Sequence, residues 1–110
     1  MDNTKVVLAM FEAYCAQDTR AAEGLLAPDF VFTSPQDDHI DRSTFMKVCF
    51  PTADRFVSQQ ILDLAPAADD GVFVLYEYEL ESGECFRNTE LLTVRDGKLV
   101  ETQVFFGGEY

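Results

Sequence analysis

The chain has 110 residues, 47% of them hydrophobic, and this length predicts one domain, residues 1–110, with one core. Its formal net charge of -12 predicts no binding to nucleic acid or to an anionic membrane surface, because such a chain repels phosphates. The cysteines Cys15, Cys49 and Cys85 lack metal-binding spacing, and no stretch approaches the ~20 apolar residues of a membrane span. We therefore expect a cytoplasmic protein with reduced thiols.

The N-terminal third predicts two helices and a strand. Apolar residues recur at helical spacing over residues 6–14, after a cap at Asn3 or Thr4. Asp18 can cap a short second helix, which Pro28 ends because the residue before a proline is pushed out of the helical region. Residues 29–33 alternate between apolar and polar and predict a strand.

The middle of the chain is more polar. Residues 36–42 have the composition of a loop, and Asp41 or Ser43 can cap a third helix that ends at Pro51. Residues 55–64 alternate only loosely and indicate a weaker strand.

A long antiparallel hairpin dominates the C-terminal part. Residues 72–80 predict a strand, and residues 86–107 predict a hairpin that turns at Asp96-Gly97, a dipeptide suited to a type I′ turn. The more apolar row of its first arm contains Asn88 and Glu90, so we expect both side chains to face the interior.

This order of elements predicts an α+β fold, with helices segregated from a meander of strands. A strongly bent antiparallel sheet wrapped around the N-terminal helices would leave a cavity between them. Since so short a chain cannot cover both faces of its sheet, we expect a homodimer through the outer sheet face.

The segments MFEAYCAQDTRAAEGLLAPDFVFTSP and ELLTVRDGKLVETQVFFG, with the helix after Asp41-Arg42, resemble the SnoaL-like group of the nuclear transport factor 2-like superfamily. The segments Cys49-Phe50-Pro51 and Arg87-Asn88-Thr89-Glu90 are similar to an uncharacterised bacterial subgroup. The resemblance covers most of the chain and implies a cone-shaped fold. It implies no single reaction, because the superfamily contains isomerases, cyclases, dehydratases, hydrolases and non-catalytic proteins.

The similarity to ketosteroid isomerases, one branch of that superfamily, does not extend to their catalytic set. Their oxyanion tyrosine corresponds to Met10 and their base to Ser34, while their second acid falls at Thr89 or, with a shift of one, at Glu90. SnoaL-like cyclases place an acid near Glu90, but the position two before it is Asn88 rather than histidine. Steroid-type isomerisation is therefore disfavoured.

Two residues are candidates for acid–base catalysis. A Glu90 carboxyl among apolar side chains would have a raised pKa, which suits proton transfer near neutral pH. The alternative for Glu90 is an ionised carboxylate at the rim of the pocket, paired with an arginine. His39 lies among Asp37, Asp38 and Asp41 and could be a base, or a solvated loop histidine. One histidine among aspartates predicts no metal site.

The remaining candidates are expected to line the pocket or its mouth. The mouth would be formed by Asp38, Asp41 and Arg42, whose alternative roles are helix capping and a surface ion pair. The expected lining, whose tyrosines can equally be core residues, is Phe11, Tyr14, Phe32, Phe45, Tyr76, Asn88, Thr102, Val104 and Phe106.

Two functions remain open at this point. The first is binding of a small apolar or aromatic molecule, or its acid–base transformation by Glu90, without a cofactor. The second is a non-catalytic dimeric module whose cavity is filled by its own aromatic rings. An open cavity with Glu90 on its wall would favour the first.

Overall fold

A computed structural model describes residues 2–109 and confirms the α+β class. The helices are α1 (Asn3–Ala16), α2 (Thr19–Leu25) and α3 (Arg42–Val48), followed by a 3-10 helix (Phe50–Arg55). The strands are β1 (Leu26–Ser34), β2 (Asp37–Asp41), β3 (Phe56–Pro66), β4 (Gly71–Leu80), β5 (Cys85–Arg95) and β6 (Lys98–Glu109).

Each of the three α-helices is preceded by an aspartate that accepts a hydrogen bond from a backbone N–H of the first turn. Asp18 and Asp41 cap α2 and α3 as predicted. At α1 the cap is Asp2, which accepts from the backbone of Thr4, and not Asn3 or Thr4. Gln17 ends α1 in the left-handed conformation, with a φ of 54°.

The six strands form one sheet in the order β2-β1-β6-β5-β4-β3. The neighbours β3, β4, β5 and β6 are antiparallel, as predicted. The sheet as a whole is mixed, because β1 runs parallel to β6, with Phe32 opposite Thr102. The chain reaches this arrangement because α3, the 3-10 helix and four strands, β2 to β5, lie between β1 and β6 in sequence.

The polar segment predicted to be a loop is the edge strand β2. It pairs antiparallel with β1, where Ile40 lies opposite Phe32. Its alternation is hidden in the sequence because only Ile40 packs against the core, while Asp38 and His39 are exposed. Charged side chains on an edge strand also discourage pairing with another chain.

The core lies between α1 and the inner face of the sheet. Val6, Val7 and Phe11 of α1 are buried against this face, where Val72, Val74 and Leu92 are also buried. The inward row of β5 contains Asn88, Leu92 and Val94, all buried, as the alternation predicted. The turn at Asp96-Gly97 has positive φ at both residues, 52° and 76°.

Candidate functional site

A cavity of about 520 Å³ opens between α1, the 3-10 helix and the inner face of the sheet. Glu90 and all nine residues expected to line the pocket surround it: Phe11, Tyr14, Phe32, Phe45, Tyr76, Asn88, Thr102, Val104 and Phe106. Its lining is mostly apolar, with a small number of polar groups, a combination typical of small-molecule sites.

Glu90 lies on the wall formed by the central strands of the sheet. It stands opposite Val74 of β4 and Val104 of β6, so its cross-strand neighbours are apolar on both sides. Burial of the carboxyl raises the pKa of Glu90 to about 7, and the hydrogen bond from Tyr76 partly opposes this. At neutral pH both protonation states of Glu90 are therefore populated.

The hydroxyl of Tyr76 donates a hydrogen bond of 2.7 Å to Glu90 Oε2. In the β4–β5 register Tyr76 stands opposite Asn88, so Glu90 is its diagonal neighbour on the same face. Burial raises the pKa of Tyr76, and the charge of Glu90 raises it further. The phenol thus keeps its proton and acts as a donor to the carboxylate.

Asn88 connects two tyrosines on this wall. Its side-chain Nδ2 lies 3.4 Å from the hydroxyl oxygens of Tyr76 and Tyr78, and its Oδ1 accepts from the backbone N–H of Gly107 at 3.4 Å. Tyr76 gives its proton to Glu90, whereas within residues 2–109 the proton of Tyr78 has no acceptor. The Tyr78 hydroxyl is therefore a donor available to a bound molecule.

Three aromatic rings form a stack beside these polar groups. Tyr78 stacks on Phe56 with ring centroids 4.8 Å apart, and on Phe86 with centroids 5.6 Å apart. We call Phe56, Tyr78 and Phe86 the ring wall; all three line the cavity. Because the rings cover one another's faces, an aromatic ligand would pack against this wall mainly through edge contacts.

A second polar group lies where α1 meets the 3-10 helix. Thr52 Oγ1 donates to the carbonyl of Cys49 at 2.7 Å, so the hydroxyl of Tyr14 is the donor in the 2.6 Å bond that joins it to Thr52. Burial raises the pKa of Tyr14 to about 12. Tyr14 is thereby a fixed wall residue rather than an acid at neutral pH.

Asp37 is a lining carboxylate on the β1–β2 side. It accepts hydrogen bonds from Ser34 Oγ at 3.2 Å and from Cys49 Sγ at 3.7 Å. Burial, with the nearby charge of Asp37, raises the pKa of Cys49 to about 12. The Cys49 thiol is therefore a weak nucleophile, consistent with the packed thiol expected from the sequence.

The other predicted site residues do not line this cavity. His39 is exposed, has a φ of 51°, and contacts Asp38 through its Nδ1 at 2.6 Å, so we leave it out of the acid–base site. Asp41 caps α3, and Arg42 donates to the carbonyl of Glu23. These four residues belong to an edge strand and a helix start, and none of Asp38, Asp41 and Arg42, expected at the mouth, is part of the lining.

Two charged lining residues were not anticipated from the sequence. Arg55 is the last residue of the 3-10 helix and lines the cavity. The sequence predicted only that α3 would end at Pro51, so no helix was expected at this position. Asp37 lines the cavity because β2 folds back on β1. The proline at the second position of the 3-10 helix was the available signal for Arg55, since proline favours a helix start.

No helix in the described part of the chain is long and apolar enough to cross a membrane. Within residues 2–109 no group of three or more histidine, cysteine or acidic side chains has an arrangement suited to a metal ion.

With this fold and cavity established, comparison with known proteins gives the family. Residues 7–102 match the SnoaL-like domain, and the chain belongs to this family, within the nuclear transport factor 2-like fold. A search among curated proteins found no significant match.

Solved structures share the fold at low sequence identity. A candidate ketosteroid isomerase of Kribbella flavida is 18% identical, with a TM-score of 0.80 over 99% of this chain and 80% of its own. A candidate polyketide cyclase of Sinorhizobium meliloti is 19% identical, with a TM-score of 0.79 over 91% of this chain and 93% of its own. A de novo designed protein with a curved β-sheet is 16% identical, with a TM-score of 0.82 over 96% and 84%.

Proposed function

We propose that the protein binds a small, flat, mostly apolar molecule in this cavity and catalyses proton transfer on it. Glu90 is the acid–base group, and no cofactor takes part. The observation that carries the proposal is the 2.7 Å hydrogen bond between Tyr76 and Glu90 on the wall of a cavity of about 520 Å³. The candidate isomerase and cyclase of the same fold support an isomerase or cyclase type of reaction.

In the proposed reaction, the Glu90 carboxylate removes a proton from a carbon next to a ligand carbonyl. The electron pair of the broken C–H bond moves into the carbonyl, which becomes an enolate. The proton then returns from Glu90 to the same carbon or to a conjugated one. A carboxyl with a pKa of about 7 suits both steps, because it exchanges a proton readily at neutral pH.

Tyr78 is the proposed donor to the enolate oxygen. Its proton has no acceptor within the described residues, while Asn88 Nδ2 fixes its oxygen from 3.4 Å. A donor positioned before the reaction stabilises charge that develops in the transition state without reorganisation. Glu90, Tyr76, Asn88 and Tyr78 would act as one hydrogen-bonded unit.

Deuterium exchange into 2-tetralone tests this function, because this flat apolar ketone has acidic protons beside its carbonyl. We expect the wild type to accelerate exchange, the Glu90→Gln variant to lose about 100-fold or more, and Tyr78→Phe to lose about tenfold or more. Glu12→Gln, an exposed change on α1, is the matched control and should keep the wild-type rate. Exchange at the wild-type rate in Glu90→Gln would contradict the proposed role.

The cavity volume also separates the two functions left open by the sequence. A non-catalytic module requires aromatic rings that fill the site. The rings instead line an open space of about 520 Å³, which favours a ligand.

We further propose a homodimer through the outer face of the sheet. In the strand register Phe105 lies beside Thr89 and Thr89 beside Leu75, while Leu91 lies beside Phe73. Phe73, Leu75 and Phe105 are 43%, 38% and 51% exposed, so this face presents a contiguous apolar surface. A second copy with the same surface would cover it.

We also propose a reducing compartment, the cytoplasm, as the place of action. Support comes from the three cysteines, none of which forms a disulfide.

A further inference from the structure

We propose that the molecule bound in this cavity is an anion, a flat apolar ring system whose carboxylate binds the guanidinium of Arg55 at the mouth. This inference rests on the proposed function, since it names the chemical class of the ligand for the same cavity.

Arg55 is held at the mouth by its backbone. It ends the 3-10 helix, and its carbonyl accepts a hydrogen bond of 3.0 Å from the backbone N–H of Glu81, beyond the end of β4. Its side chain lines the cavity, and among the described lining residues it is the one basic side chain. The backbone is therefore fixed, and because Arg55 is both exposed and part of the lining, we place its side chain at the mouth.

The guanidinium of Arg55 forms no hydrogen bond or ion pair within residues 2–109. Three other arginines do have such partners: Arg42 donates to the carbonyl of Glu23, Arg87 pairs with Glu77, and Arg95 lies 3.8 Å from Asp70. A guanidinium has five N–H donors in a planar fork that matches a carboxylate. Arg55 keeps all five for a bound group.

The charge of Arg55 acts inside the site. Burial raises the pKa of Tyr14 to about 12, Glu90 adds to this, and the positive charge of Arg55 opposes it. The other carboxylate of the lining, Asp37, already accepts from Ser34 and Cys49. The net charge of -12 disfavours anions, but charges beyond a Debye length of about 8 Å are largely screened. The nearby charge of Arg55 therefore determines whether the cavity prefers an anionic ligand.

The ring wall supplies the other half of the recognition. Phe56 follows Arg55 directly in the chain and stacks on Tyr78 with an angle of 16° between the ring planes. An aromatic ligand packed against the ring wall would share the cavity with Arg55, next to Phe56 in the chain, and with Asn88 and Glu90. A flat body with an anionic edge fits both features.

The test compares three probes of matched shape: 2-naphthoate, 2-naphthamide and 2-naphthylmethylammonium. Binding is measured by calorimetry, and the Glu90 titration is followed by NMR in the same samples. We expect naphthoate to bind about fivefold more tightly than naphthamide, which is ~1 kcal/mol, the upper range for an exposed ion pair. Arg55→Gln should abolish this preference and leave naphthamide binding unchanged, while Arg55→Lys should keep part of it.

Arg20→Gln is the matched control, because Arg20 is an exposed arginine of α2 outside the cavity lining. Three results would overturn the anion proposal: equal binding of naphthoate and naphthamide, tighter binding of the ammonium probe, or an equal loss of the naphthoate preference in Arg20→Gln.

The proposed function has a separate readout. If the anion proposal fails but naphthamide still binds and shifts the Glu90 titration, the proposed function remains intact. A preference for naphthoate that depends on Arg55, with no shift at Glu90, would support the anion site and contradict the acid–base role. Binding of none of the probes would contradict both.

Discussion

Tyr76 of β4 donates a hydrogen bond of 2.7 Å to the Glu90 carboxyl on the neighbouring strand β5. Two opposing effects act on this carboxyl. Burial favours its neutral form, whereas the Tyr76 hydroxyl favours its charged form. Burial is the larger effect, and the pKa of Glu90 lies near neutrality, where a proton can be both accepted and returned.

Removing the Tyr76 hydroxyl should raise the pKa of Glu90. In Tyr76→Phe the carboxylate loses a donor, and we expect the pKa to rise above about 7 by about one pH unit, since a hydrogen bond to a charged group contributes ~1.5–3 kcal/mol. NMR titration of labelled glutamate measures the change. Tyr78→Phe is the control, because Tyr78 contacts Asn88 and has no hydrogen bond to Glu90. An unchanged or lower pKa in Tyr76→Phe would contradict the assigned geometry.

Glu90 should also make stability depend on pH. Its pKa rises from 4.5 to about 7 on folding, so between these values the folded state binds more protons than the unfolded state. The stabilisation is complete below about pH 4.5 and is lost as the pH rises through 7.

Glu90→Gln resembles the protonated acid and lacks this dependence. From pH 5 to pH 8 we therefore expect the free energy of unfolding of the wild type to fall by about 3 kcal/mol relative to Glu90→Gln. Urea denaturation across this range gives both curves. Parallel curves would show that Glu90 is not buried in the folded state.

Asn88 should be important for stability as well as for the site. It is 5% exposed and contacts two tyrosine hydroxyls and the N–H of Gly107. Asn88→Ala removes the partner of the Tyr78 hydroxyl and of the Gly107 N–H, while Tyr76 keeps its bond to Glu90, and we expect a loss of about 1–3 kcal/mol in urea denaturation. Thr89→Ala changes the next residue, on the opposite row of β5, and should cost about 0.5 kcal/mol or less. Equal costs would contradict the buried network.

The proposed dimer has a direct test in solution. Phe105→Lys places a charge in the apolar outer face and should convert a dimeric wild type into a monomer, measured by sedimentation equilibrium. Leu8→Lys is the control, because Leu8 is 45% exposed on α1 while Phe105 is 51% exposed on the sheet. A monomeric wild type, or dissociation of both variants alike, would refute the interface.

The C-terminal half of the fold was predictable from local pattern. The Asp96-Gly97 turn and the alternation of β5 predicted the hairpin and the inward position of Glu90, because the period of a strand determines which side chains share a face. The edge strand β2 was missed because its one apolar contact, Ile40, is surrounded by aspartates. The parallel pairing of β1 with β6 depends on contacts distant in sequence.

The candidate site was predictable as a lining but not as a hydrogen-bond network. The bond from Tyr76 to Glu90 depends on the register of β4 and β5, which a single sequence does not specify. Arg55 was missed because Pro51 lies in the first turn of a 3-10 helix, where the sequence predicted only the end of α3. His39 was included because a lone histidine among acids suggests a base. Its position on an exposed edge strand removes that role.

The most direct test of the central claim is the titration of Glu90, by NMR on glutamate-labelled protein, with Glu90→Gln used to assign the signal. We expect a pKa of about 7 in the free protein. We expect a further rise when 2-naphthoate binds, because the ligand excludes water and brings a negative charge. A pKa near 4.5 that does not change with the ligand would contradict the proposed role of Glu90.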